Sequence, residues 1–315
     1  MGSLKLGGNS MTRTATWESI GTDVEGANSL NDVLIKAHLN YEVATRPLEV
    51  NVGLSELVKI PDKLITYDTT TRKVFGIVGK NYQICQNAEA FDFVNYIDED
   101  ITFKRAGQTT TGMVYIIAAL PDVNILGDKF TPYVIFQNSH NGMYTVKTTI
   151  CPLRFVCRNQ FNYSFAEFTN TVAMKHNGTL EYKMADAKLV MTKSAEYMQA
   201  LNNDLQRFAD TKVSEKNLPN LINAMFPITP DMTELSKERI AIQRNQFIQA
   251  YNADDNQNFR KTLMGLINAE ADYLTHRVPN RKAPTYEERQ FLSVTFDPKA
   301  MNNFIAMAND IMVAV

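Results

Sequence analysis

The feature that most constrains this chain is a single change of period. From residue 64 to about 176 the apolar residues recur at strand spacing, and beyond about 178 they recur at helical spacing. Lys63–Tyr67 and Val74–Val78 read as strands around a polar turn, Asp68–Thr71. Ile101–Ala106 and Met113–Leu120 flank Gly107–Gly112. Tyr133–Gln137 and Tyr144–Ile150 flank Asn138-Ser139-His140-Asn141-Gly142, whose Asn-Gly pair is a strong hairpin signal. A short helix is expected from Asn87 to near Asp98. Leu180–Phe208, Ser214–Phe226, Met232–Tyr251, Asn258–Tyr273 and Lys299–Val313 carry helix-period apolar residues, with Pro219, Pro227, Pro230, Pro279 and Pro284 near the breaks. Arg277–Arg289 reads as an exposed loop. Strands followed by helices, rather than alternating with them, predict an α+β protein: an antiparallel β-sheet core followed by a helical C-terminal region. The expected organisation is 1–60, an N-terminal segment with Trp17 and a helix through Ser29–Leu39; 61–178, mainly β; and 179–315, helical.

Composition adds exclusions. A chain of 315 residues, 44% hydrophobic and 21% charged, is an ordinary globular protein of one large or two average domains. Its net charge of -2 argues against a uniformly basic nucleic-acid coat but leaves room for a local basic surface. Three cysteines (Cys85, Cys151 and Cys157) form no disulfide framework, and reduced thiols suit a cytoplasmic compartment. Met1–Ser10 has no signal-peptide core and is left out of the fold reasoning. No apolar run approaches the ~20 residues needed to cross a bilayer, so no membrane partner is expected. Neither a Gly-x4-Gly-Lys-Ser/Thr loop, a Gly-x-Ser-x-Gly elbow nor a His-Glu-x-x-His pair occurs. Cys151, Cys157, His140 and His176 have the wrong spacing for structural zinc, so no metal and no cofactor is expected.

The middle of the chain is locally basic. Between residues 101 and 165, Lys104, Arg105, Lys129, Lys147, Arg154 and Arg158 face only Asp122 and Asp128, a local charge of +4. Tyr115, Tyr133, Phe136, Tyr144, Phe155, Phe161 and Tyr163 are interleaved with them. Cations that track phosphates and rings that stack on bases are how single strands are held. The competing reading is that the rings are core and the cations a solvated face. Asn138 and His140 sit in a polar cluster that could touch phosphate or supply a base, or could simply build the turn. If Leu153–Phe161 is helical, Arg154 and Arg158 share one face and could clamp phosphates; structural salt bridges are the alternative. Cys157, in an apolar run, reads as an inert buried thiol.

Asn138-Ser139-His140-Asn141-Gly142, followed by Cys151-Pro152-Leu153-Arg154-Phe155-Val156-Cys157-Arg158-Asn159-Gln160-Phe161, resembles the central signature of the phage/plasmid-like family known as domain of unknown function nine-three-two. Val78-Gly79-Lys80-Asn81-Tyr82 with Gln86-Asn87-Ala88-Glu89-Ala90-Phe91, Ala106-Gly107 before Gly112, and Asn268-Ala269-Glu270 through His276 resemble its flanking elements. The resemblance spans roughly residues 15 to 280. It implies a setting among phage, prophage or plasmid genes, often for replication and recombination, in the cytoplasm of a bacterial host; it brings no activity.

The leading expectation is therefore single-stranded DNA binding, as an annealing or recombination/replication accessory acting as a homo-oligomer. Lys104, Arg105, Lys147, Arg154 and Arg158 would contact phosphates, Tyr133 and Tyr144 would stack, and Asn138 and His140 would lie in the same interface. The alternatives are a non-enzymatic protein that binds a host protein or inhibits host defence, and a metal-dependent nuclease using His140.

Overall fold

A computed structural model of the chain describes residues 16–53, 56–97, 100–154, 159–160, 171–173, 180–277 and 286–313. The strands are β1 (Thr22–Asp23), β2 (Val43–Asn51), β3 (Leu57–Asp68), β4 (Val74–Gly79), β5 (Thr102–Gln108), β6 (Met113–Ala119), β7 (Val123–Ile125), β8 (Asp128–Ser139), β9 (Lys147–Arg154), β10 (Asn159–Gln160) and β11 (Thr171–Ala173). The helices are α1 (Leu30–Lys36), α2 (Asn87–Phe91), α3 (Leu180–Asp210), α4 (Leu218–Met225), α5 (Glu234–Tyr251), α6 (Leu263–Asp272), α7 (Tyr286–Phe296) and α8 (Lys299–Ala308). Antiparallel sheets come first and helices dominate the second half, so the fold is α+β. Among the described residues no helix is long and apolar enough to cross a membrane.

The strands form two sheets. The larger runs β1-β5-β6-β8-β9-β10, with β7 paired to β8 and β11 to β9; the smaller is β2-β3-β4. In the larger sheet the period-2 alternation places side chains on opposite faces, and here both faces are buried. Val114, Ile116 and Ala118 of β6 and Val134 and Phe136 of β8 join a core with α1, α3, α6 and α8. Met113, Tyr115, Ile117, Tyr133 and Ile135 face the other way, where Trp17 and Phe291 of α7 close over them. Trp17 lies 4.7 Å from Tyr133 and Phe291 lies 5.3 Å from Tyr115, centroid to centroid. Burial on both faces explains why Met113–Ala119 reads as a continuous apolar run rather than an alternating one. Each such buried ring contributes roughly 1.5–3 kcal/mol of transfer free energy.

The helices start where side chains can cap them. Ser29 accepts from Asp32 N at α1, as its position predicts, and Thr233 and Thr262 do the same at α5 and α6. Val190, Tyr197, Leu201 and Leu205 of α3 enter the same core as the large sheet.

The smaller sheet meets the larger one at the Asn141-Gly142 turn. Thr66 of β3 donates to the His140 carbonyl, and Tyr82 donates to the Ser139 carbonyl. Gly76 of β4 is needed for the approach, because a Cβ there would stand 2.7 Å from the Asn141 Cβ. Gly142 adopts φ +74°, the left-handed conformation the Asn-Gly reading expects.

Three expectations are corrected. Arg277–Arg289 is not loop throughout, since Tyr286 to Arg289 open α7. Leu153 and Arg154 belong to strand β9, so no helix places Arg154 and Arg158 on one face. Strand β2 was not anticipated: Pro47 lowers strand propensity, yet an edge strand with a bulge beside Pro47 tolerates it.

Candidate nucleic-acid interface

Of the residues expected to bind nucleic acid, the described ones lie on or beside the larger sheet and are committed to the protein itself. Tyr133 is buried under Trp17. Arg154 is 3% exposed and pairs with Asp128 at 2.5 Å while its guanidinium also reaches the Asp255 carbonyl and the Phe259 ring. Arg105 donates to the carbonyls of Glu18 and Ile20, tying down the N-terminal segment. Lys104 pairs with Glu25 and Lys129 with Asp122. Lys104 and Tyr133 do share a groove of about 540 Å³, with Lys129, Asp100 and Asp122, but its charges balance. Lys147 lies 6.0 Å over the Phe296 ring, and burial lowers its pKa. Tyr144 is half-buried and bonds Thr111. Arg158, with Phe155, Cys157, Phe161, Tyr163 and His176, lies outside the described residues.

Asn138 and His140 come together with Asn87, but inside the protein. Asn138 Nδ2 donates to Asn87 Oδ1 at 3.1 Å and to the Cys85 carbonyl, and His140 Nε2 meets the same Asn87 oxygen at 2.9 Å. An acceptor oxygen shared in this way requires His140 to carry its proton on Nε2. Tyr41 and Phe75 cover the imidazole at centroid distances of 5.8 and 5.6 Å. Burial pushes the His140 pKa down to about 4 and that of Tyr41 up to about 12. His140 is fully buried, which removes it from contact with a phosphate or a scissile bond. Among the described residues no group of three His, Cys, Asp or Glu could hold a metal. A second buried titratable group lies in α6: Glu270, whose Oε2 has no hydrogen-bond partner among the described residues and whose pKa burial raises to about 8.

A basic surface free of ion pairs among the described residues lies elsewhere, on the outward face of the smaller sheet. Register places Arg46, Ile65 and Ile77 in one row across β2, β3 and β4, and Ala44, Tyr67 and Val74 in the next. Lys63 continues this face along β3, and Arg72, in the β3–β4 turn, stands 5.9 Å over the Tyr67 ring. The opposite face, with Thr66 and Val78, is buried toward His140. Arg46, Lys63 and Arg72 are exposed and enter no salt bridge among the described residues. Ile77 and Val74 are 56% and 53% exposed. A bulge between Thr66 and Tyr67 sets this up: it turns the extra residue, Phe75, inward onto His140 and leaves Tyr67 facing out. The period-2 pattern Lys63-x-Ile65-x-Tyr67 is the sequence signal for this face.

An α+β protein with one enclosed sheet and one open sheet is what fold and surface define. The family model described as Domain of unknown function (DUF932) matches residues 74–294, and the chain belongs to that family. The match begins at β4, so β2 and β3 precede it. No curated protein and no solved structure matches the chain.

Proposed function

We propose that the protein binds single-stranded nucleic acid on the outward face of β2-β3-β4, as a recombination or replication accessory of the phage/plasmid type. The observation that carries this is three cations without salt bridges among the described residues, Arg46, Lys63 and Arg72, sharing one sheet face with Tyr67, Ile65 and Ile77. Open sheets of this composition hold extended strands: cations follow the phosphates, and rings and aliphatic faces receive unpaired bases. Successive rows on a strand are ~7 Å apart, close to the phosphate repeat of an extended strand. The cations of the larger sheet then have a structural role, holding Asp128, Glu25 and the Glu18–Ile20 backbone.

The test is fluorescence anisotropy of labelled single-stranded and duplex oligonucleotides through a salt series without added metal. Single strands bind more tightly than duplex, and Tyr67→Ala weakens binding by the ~1–3 kcal/mol of one stacked base. Equal, salt-insensitive signals for both nucleic acids overturn the reading. A second reading, a protein-binding face, is favoured by the exposure of Val74 and Ile77. It requires a partner whose binding is lost in Val74→Ser/Ile77→Ser and untouched by salt.

A further inference from the structure

Arg72 sits in the β3–β4 turn with φ +65°, the left-handed conformation that glycine adopts freely and a longer side chain adopts at a steric cost. The turn is built to hold it there. Asp68, 6% exposed, accepts from Thr70 N at 2.8 Å and Thr71 N at 3.1 Å through Oδ1, and from the Thr71 hydroxyl at 2.7 Å through Oδ2. Arg72 N donates to the Asp68 carbonyl and Asp68 N to the Lys73 carbonyl, which closes the turn. An exposed turn fixed in this way, with an arginine where glycine would be free of strain, points to a task for the side chain. That side chain reaches over the outward face: the guanidinium carbon stands 5.9 Å from the centroid of the half-buried Tyr67 ring. Direct stacking would bring the two groups to ~3.5–4 Å, so they stand farther apart than contact. One base between them needs about 7 Å, twice the ~3.4 Å step of stacked bases.

We propose that Tyr67 and Arg72 form a clamp for one unpaired base, which enters between the phenol ring and the guanidinium plane and stacks on both. This inference rests on the nucleic-acid reading of the β2-β3-β4 face and names the subsite where a base is recognised. Arg72 is exposed, and its guanidinium has to move by only about 1 Å to admit the base. A guanidinium suits the task because it is planar and weakly hydrated. It stacks through its faces while its in-plane N–H donors stay free for the adjoining phosphate. A lysine at the same place supplies the charge but no plane. In the row of Tyr67 the register sets only the short side chains of Ala44 and Val74. Arg46 follows one row along β2 and Lys63 two rows along β3, so a strand gripped at Tyr67 meets cations ~7 and ~14 Å further on. The clamp therefore stands at one end of the cation track. Purines, with the larger stacking face, fit it best.

The experiment measures the affinity of the full chain for two labelled oligonucleotides of equal length and charge, one of deoxyadenosine and one whose sugars carry no bases. The proteins are wild type, Tyr67→Leu, Arg72→Lys, Arg72→Gly and Tyr67→Leu/Arg72→Lys. Wild type should prefer the adenine strand ~5-fold or more, as one stacked base requires. Arg72→Lys should lose about 5-fold on the adenine strand while its abasic affinity and salt slope hold, because the charge is kept and the plane is not. Arg72→Gly should lose the same base preference with a urea midpoint no lower than wild type, which separates the clamp from a structural role in the turn. In the double variant the two losses should not multiply, since either substitution breaks the same sandwich. Wild-type affinity of Arg72→Lys for both strands overturns the clamp and leaves the nucleic-acid reading standing. Losses that simply multiply, or equal wild-type affinity for the two strands, do the same. Absence of wild-type binding to either strand overturns both.

Discussion

Replacing Asp128 by Ala would remove the carboxylate that pairs with the Arg154 guanidinium, 3% exposed, whereas Asp128 itself is 22% exposed and can be hydrated when Arg154 is removed. Breaking a buried pair by deleting one partner costs ~3–5 kcal/mol. The Asp255 carbonyl and the Phe259 ring continue to hold Arg154 in the variant, which points to the lower end of that range. Asp128→Ala should therefore lose ~3 kcal/mol, which for a chain of 315 residues lowers Tm by roughly 4–5 °C. Arg154→Leu should cost less, because the hydrocarbon of Leu fills part of the site and the abandoned carboxylate reaches water. Fluorescence of Trp17, the only Trp in the chain and buried against Tyr133, follows unfolding in both variants. Arg154→Leu should also leave single-strand affinity within twofold of wild type. The reasoning is refuted if Asp128→Ala unfolds within 1 kcal/mol of wild type, or if Arg154→Leu keeps its stability and loses binding tenfold.

Three further outcomes follow from the buried groups. Glu270, raised from 4.5 to about 8, keeps its proton in the folded state where the unfolded chain has lost it, so its contribution is whole below pH 4.5 and declines as pH rises to about 8. His140, lowered from 6.5 to about 4, works in the opposite sense: its contribution is whole above pH 6.5 and declines as pH falls toward 4. Urea midpoints should then fall between pH 6.5 and 8, and Glu270→Gln should flatten that limb; an unchanged limb contradicts the assignment. Gly76→Ala should cost ~1–3 kcal/mol by forcing β4 away from Asn141, read as a lower urea midpoint, and a neutral effect would show that the two sheets are not tightly apposed there. Phe291→Ala should cost ~3–5 kcal/mol and redden Trp17 emission by opening the layer that covers Tyr133; unchanged emission would mean that α7 does not seal this face.

The change of period from strand to helix made the α+β class legible, together with the hairpins around Asp68–Thr71 and Asn141-Gly142 and the cap at Ser29. Those features are local, and local side-chain chemistry sets them. What remained hidden depended on covering. The run Tyr286-Glu287-Glu288-Arg289 opens with charge and follows Pro284, so it reads as loop, yet the helix it starts carries Phe291 onto Tyr115. Without that helix the larger sheet reads as an open aromatic face with Lys104, Arg105, Lys147 and Arg154 available to it. Spacing along the chain also could not reveal that Glu25, Asp128 and the Glu18–Ile20 backbone come to meet those cations from distant segments. His140 stood out correctly as a residue no turn requires; its explanation is a hydrogen bond to Asn87, 53 residues away in sequence. Pro47 disguised β2, and with it the open face on which Arg46 sits.

The most direct measurement is the salt dependence of single-strand affinity in two sets of variants. Three phosphate contacts give a slope of roughly -2 in log K against log salt, or about a 20-fold loss between 50 and 200 mM. Arg46→Gln/Lys63→Gln/Arg72→Gln should remove that slope and most of the affinity, while Lys104→Gln/Lys129→Gln should leave both as they are. The opposite pattern, with the slope surviving on the first set and vanishing on the second, would return the interface to the larger sheet and contradict the assignment to β2-β3-β4.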